Sequence, residues 1–183
     1  MSEDHIIRHC SPTLAGLKTG SIFTCTYGTA ESLRQTIRRV NQQLRRKGLR
    51  LLPLRLNDKK ALIYLYRPKK LTEDLTAPIA AALLQQEGYD AGTCERCVVQ
   101  LARRLRQNAD FPHEIGLFLG YPPEDVQGFI ENDACRCKCV GCWKVYGDET
   151  EARRKFAQYK KCTRVYQDQW QKGRTLERLA VAR

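Results

Sequence analysis

The stretch LRLLPLRLNDKKALIYLYR, residues 49–67, decides the fold. Two apolar runs rich in Leu, Ile and Tyr flank a short polar break at Asn57–Asp58. That pattern predicts a β-hairpin, with one strand over 49–56 and the other over 61–67. Pro53 cannot donate to a ladder, so the first strand is expected at an edge or at a bulge. Pro68 closes the second. Upstream, SIFTCTY (21–27) alternates well enough for another strand, with Phe23, Cys25 and Tyr27 on one face. Between these strands Thr29 caps a helix that runs to about Lys47 and stops at Gly48. Leu33, Ile37, Val40 and Leu44 recur at spacings of four, three and four, one apolar stripe to lay on the sheet.

Downstream the chain turns helical. A helix is expected over 73–87, interrupted near Pro78, and another over 93–107 with Cys94, Cys97, Val98, Leu101 and Leu105 on its apolar side. Two short helices follow in DFPHEIGLFLGYPPEDVQGFIEN, the second opening on Pro122–Pro123 with Glu124 and Asp125 complementing its dipole. A strand is expected over 139–146 and a last helix over about 149–171, with Ala152, Phe156, Tyr159, Tyr166 and Trp170 on one side. The fold class is α+β: a small, mainly antiparallel sheet of about four strands, in the order β-α-β-β-α-α-α-α-β-α.

A chain of 183 residues, 42% hydrophobic, fits one domain, 1–183. It has no apolar run long enough to span a bilayer and no apolar h-region behind its first residues, so the expected location is cytoplasmic. The net charge is +12, unevenly spread. Residues 30–70 hold 13 Lys/Arg against Glu31 and Asp58, a net of +11; residues 110–133 hold six acids and no Lys/Arg. A basic surface of this kind fits nucleic acid or another polyanion through Arg34, Arg38, Arg45 and Arg46, or else a solvated helix face.

The nine cysteines include CRCKCVGC (135–142), running into Trp143. In a cytosolic protein, thiols so close together suggest metal or redox chemistry before disulfides. A turn at Val140–Gly141 brings Cys139 and Cys142 together, and Cys10, Cys162, Cys135 or Cys137 could complete four ligands for zinc or an iron–sulfur cluster. The favoured metal set is Cys10, Cys139, Cys142 and Cys162. Cys25, Cys94, Cys97 and Cys162 read equally as small buried hydrophobes. His113 and Glu114, at a helix start after Asp110 and Pro112, are the candidate catalytic pair, with His113 as base, proton donor or metal ligand; equally, Asp110 and Glu114 satisfy the first turn and His113 bonds a neighbour without chemistry. There is no Walker loop, dinucleotide fingerprint, nucleophile elbow or H-E-x-x-H motif.

Six segments together are similar to one family: CSPTLAGLKTGSIF (10–23), LRLLPL (49–54), ALIYLYRP (61–68), FPHEIGLFLGYPPEDVQGFI (111–130), KCVGCWKVYGD (138–148) and FAQYKKCTRVY (156–166). They resemble the Domain of Unknown Function 3793 family, bacterial and mainly from anaerobic Firmicutes. The resemblance covers nearly the whole chain and implies a stand-alone cytosolic domain without an established activity. It also implies that Cys10, His113, Glu114, Cys142, Trp143 and Cys162 sit in segments typical of the family, and that Cys135 and Cys137 lie in a variable lead-in. The leading expectation is a thiol-rich protein that binds a metal or cluster in a pocket formed by CSPTLAG, FPHEIG and CVGCW. The rivals are a nucleic-acid or polyanion module using residues 30–70, and an enzyme acting on an anionic small molecule.

Overall fold

The computed structural model describes residues 1–90, 92–107 and 110–182. The hairpin forms as the sequence predicts: strand β2 (Arg50–Asn57) pairs antiparallel with β3 (Lys60–Tyr66), and β1 (Gly20–Thr26) pairs with the other side of β3. The sheet order is therefore β1-β3-β2. β3 is the central strand, which is why ALIYLY lacks a polar face: every residue from Ala61 to Tyr66 is buried. Its side chains alternate between two cores. Ala61, Ile63 and Leu65 face one, and Leu62, Tyr64 and Tyr66 the other. Pro53 sits on edge strand β2, where the register shifts between Pro53 and Arg55.

On the first face lie helix α2 (Ala30–Leu44), through Leu33, Ile37, Val40 and Leu44, and helix α1 (Glu3–Leu14). Thr29 accepts from the Ser32 N–H, and Ser32 reciprocates, closing a capping box. α1 is an addition to the expected order. Ile6, Ile7, Cys10 and Leu14 form its buried side, and Pro12 lies inside it, which disguised it as a turn. Arg34, Arg38, Arg45 and Arg46 all face solvent.

On the second face pack α3 (Pro68–Thr76), α4 (Pro78–Gln86), α5 (Cys94–Gln107), α6 (Ile115–Phe118) and α7 (Pro123–Glu131). The helix expected over 73–87 is thus two helices, each opening on a proline at its first position, where the missing N–H is harmless. Tyr64 joins this layer to the sheet by donating to the Phe118 carbonyl at 2.5 Å.

The largest departure from expectation is at 139–146. Among the described residues no fourth strand joins the sheet. Instead β4 (Cys139–Val140) and β5 (Lys144–Val145) form a separate two-stranded hairpin. Two residues per strand is too short to extend an existing ladder. Helix α8 (Glu149–Gln171) follows, capped by Asp148, which accepts from the Glu151 N–H at 2.9 Å. α8 lies against α1, and α9 (Leu176–Leu179) closes the first core. Among the described residues, no helix is long and apolar enough to cross a membrane.

Candidate functional site

The β4–β5 hairpin is held by one carboxylate. Asp125, buried at the start of α7, accepts from Trp143 Nε1 at 2.7 Å with one oxygen. With the other it accepts from the N–H groups of Tyr146 and Gly147, each at 2.7 Å. Trp143 is thereby drawn inward. Its indole stacks on Tyr121, with centroids 4.9 Å apart, and meets Phe156 of α8 edge-on at 4.5 Å. Gly141 is required at the tip, because a Cβ there would strike the Phe156 ring. Val145, Ala152 and Tyr159 complete this small third core.

Beside it opens a cavity of about 410 Å³. The FPHEIG segment forms one wall, α7 the floor and the hairpin the other wall. Phe111, Ile115, Val126, Phe129 and Trp143 make it mostly apolar. His113, Lys144, Tyr121 and the hairpin-bound Asp125 are the polar side chains of its lining. The His113 ring stands edge-on to Phe129 at 5.1 Å, and Lys144 Nζ lies 5.8 Å from the same ring while donating to the Ala134 carbonyl at 2.7 Å.

The expected pair His113 and Glu114 is split. His113 lines the cavity. Glu114 points into the second core, 2% exposed, where it accepts from Tyr89 Oη at 2.8 Å and from Arg104 Nη1 at 3.0 Å. The Arg104 guanidinium also covers the Tyr89 ring at 4.5 Å. Burial and the neighbouring Glu114 carboxylate push the Tyr89 hydroxyl far above the usual phenol range. Glu114 is thus engaged in holding α5 against the 111–116 segment.

The thiols are also dispersed. Cys10 is fully buried in α1, and burial pushes its thiol far up, so it stays a neutral core group. Cys162 on α8 is half-buried and pushed up to about 11 by burial. Cys139 is in β4, and Cys142 is in the turn that joins β4 to β5. The charges they feel differ: Cys139 acts on Arg153, whereas Cys142 acts on Lys18. Cys142 is exposed and its thiol is raised by partial burial, against the pull of Lys18. Among the described residues, no three His, Cys, Asp or Glu stand where they could share a metal ion. The geometry therefore supports no four-thiol centre at Cys10, Cys139, Cys142 and Cys162. Cys25, Cys94 and Cys97 are buried core thiols, and Cys135 and Cys137 lie in the loop before the hairpin.

The model of a family described as a protein of unknown function (DUF3793) matches residues 6–180. The chain belongs to the DUF3793 family. The match runs from α1 through Ala180, so both cores, the hairpin and the cavity walls are part of the DUF3793 unit. No curated protein and no solved structure matches the chain. Asp125 was missed from sequence as a functional support. The only hint was that a buried Trp143 needs a partner for its N–H.

The tyrosines around Trp143 give one measurable consequence. Burial pushes Tyr121 and Tyr159 up to about 12 from 10.0. A folded-state pKa above the unfolded one means stability that is complete below pH 10 and lost as pH rises through 12. Urea midpoints are expected to hold steady up to pH 10 and fall between pH 10 and 12. Absorbance at the tyrosinate band should show late-titrating phenols that become ordinary in concentrated urea. An unshifted spectrophotometric titration would contradict this.

Proposed function

We propose that this protein is a binding protein for a small, flat, largely apolar molecule, held between the FPHEIG segment, α7 and the β4–β5 hairpin. One observation carries the reading: a cavity of about 410 Å³ walled by aromatic side chains, with His113 and Lys144 at its edge. Ligand sites are typically concave, mostly apolar and furnished with a few placed polar groups, and this cavity falls in their ordinary size range of roughly 300–1,000 Å³. Both oxygens of Asp125 are already used by the hairpin, so Asp125 shapes the site and leaves recognition to its neighbours. His113 and Lys144 favour a ligand that offers a hydrogen-bond acceptor or a negative charge at one end. The site uses two of the three segments expected to form a pocket, FPHEIG and CVGCW, with aromatic rings where thiolates were expected.

The test uses N-phenyl-1-naphthylamine, a neutral dye that fluoresces in apolar sites. It is expected to bind saturably at one site and to quench Trp143 emission by energy transfer. Val140 lines the cavity and is 69% exposed, so Val140→Phe obstructs the site without entering a core. That variant should weaken dye binding by at least about tenfold, ~1.4 kcal/mol. Unchanged affinity in Val140→Phe, or no saturable binding to the parent, would refute the proposal.

A further inference from the structure

A second cavity, about 740 Å³, opens between α1, β1 and α8 and shares no residue with the aromatic pocket. Its lining contains the cations Lys18, Lys160, Lys161 and Arg164 and no Asp or Glu. The contrast along α8 is informative. In the first turns Arg153, Arg154 and Lys155 are each paired with Glu149 or Glu151. Further on, among the described residues, Lys160, Lys161 and Arg164 have no carboxylate partner, and neither has Lys18. Lys160 and Arg164 stand four residues apart on one helix, a like-charge spacing that destabilises a helix by a few tenths of a kcal/mol. Lys18 lies deeper, 5.2 Å from the centre of the Tyr121 ring. Burial lowers its pKa, and the nearby Cys142 and Cys10 thiols oppose that shift. An anion between these side chains would relieve the repulsion and supply the missing counter-charge. Pro12, Phe156 and Ala157 give the same cavity an apolar wall.

We propose that this cleft binds a phosphorylated organic molecule, its phosphate between Lys18, Lys160 and Arg164 and its organic part against Pro12 and Phe156. Two simpler occupants would use only half of the lining. A bare phosphate leaves the apolar wall uncovered, and a neutral apolar molecule leaves the cations unpaired. His9, whose imidazole burial holds below its usual pKa, lines the rim as a hydrogen-bonding group.

Calorimetric titration with 1-naphthyl phosphate and, separately, with inorganic phosphate tests this. 1-Naphthyl phosphate is expected to bind more tightly than inorganic phosphate. Lys160→Gln with Arg164→Gln should weaken it at least about tenfold. Arg38→Gln with Arg46→Gln, which removes the same charge from α2 and the turn after it, should leave it unchanged. With the aromatic cavity obstructed by Val140→Phe, binding at the cleft and its dependence on Lys160 and Arg164 should persist. Bound 1-naphthyl phosphate should also protect Cys142, which lines the cleft, from iodoacetamide, as read by peptide mass mapping, while Cys135 stays reactive. Three results would overturn the proposal: no binding, equal loss in the α2 variant, or loss in Val140→Phe with Cys142 unprotected. Tight binding of a single-stranded RNA oligomer that 1-naphthyl phosphate does not displace would also overturn it, in favour of a nucleic-acid surface.

Discussion

Arg67→Met is expected to destabilise the fold by about 3–5 kcal/mol, since each hydrogen bond from a charged donor contributes roughly 1.5–3 kcal/mol and four are lost, offset in part by no longer burying the guanidinium. Arg67 follows the last residue of β3, precedes α3 and is 3% exposed. Its guanidinium donates from Nε to the Thr13 carbonyl at 2.8 Å and from Nη2 to the carbonyls of Leu14 and Val181, both at 2.8 Å. Nη1 donates to the Lys47 carbonyl at 3.2 Å. Thr13 and Leu14 are the last residues of α1, whose terminal carbonyls carry the negative end of the helix dipole and also accept from the Gly16 and Val181 N–H groups. One side chain thus ties together the end of α1, the turn after α2, the central strand and the chain beyond α9. Methionine fills much of the volume but leaves four carbonyls without this donor. Lysine should recover only part of the loss, because a single ammonium cannot span four separated acceptors. Urea denaturation followed by circular dichroism should show a lowered midpoint at unchanged slope. A loss below about 1 kcal/mol, the level of an ordinary surface change, would refute this role.

Asp125→Ala should act locally instead. It strips acceptors from the Trp143 indole and from two backbone N–H groups, each orphan costing roughly 1–3 kcal/mol when buried. The hairpin has only two residues per strand, and without Asp125 it keeps only the packing of Trp143 and Val145 and the bonds from Tyr121 and Lys144, so it is expected to loosen while the main sheet stays folded. Trp143 emission should shift to the red in a Trp170→Phe background. Amides over 138–147 should exchange quickly, and those of β3 should keep their protection. N-Phenyl-1-naphthylamine binding should be lost as well. Asp125→Asn should recover only part, since a carboxamide turns an N–H₂ toward one set of donors. Unaltered Trp143 emission in Asp125→Ala would show that the hairpin is held by other means.

How far these features could be read beforehand follows from where their causes lie. The Leu33-Ile37-Val40-Leu44 stripe and the 49–67 hairpin depend on local periodicity, and both appear in the structure. α1 carried the same kind of signal in Ile6, Ile7, Cys10 and Leu14, but Pro12 and the polar residues between them obscured it. The 139–146 strand was misread because apolar alternation over so few residues does not separate a sheet strand from a short independent hairpin. The site was legible as segments: FPHEIG and CVGCW do meet across the cavity. Its chemistry was not legible, because side-chain direction decided it. Glu114 turned into the core beside Arg104, Cys10 was buried in α1, and Phe111, Phe129 and Trp143 faced the cavity. The anchoring of Asp125 and Arg67 depends on contacts far apart in sequence, and no spacing rule reaches that distance.

The account rests on the aromatic cavity being the binding site, and the Trp143 indole reports on it most directly. Its N–H, bonded to Asp125, gives one of the two indole resonances in a proton–nitrogen correlation spectrum, assignable with Trp170→Phe. On titration with N-phenyl-1-naphthylamine the account predicts progressive shifts of that resonance and of the Gly116, Val126 and Lys144 amides, with the Trp170 indole unmoved. Shifts confined to residues outside the cavity, with Trp143 unmoved at saturation, would contradict it.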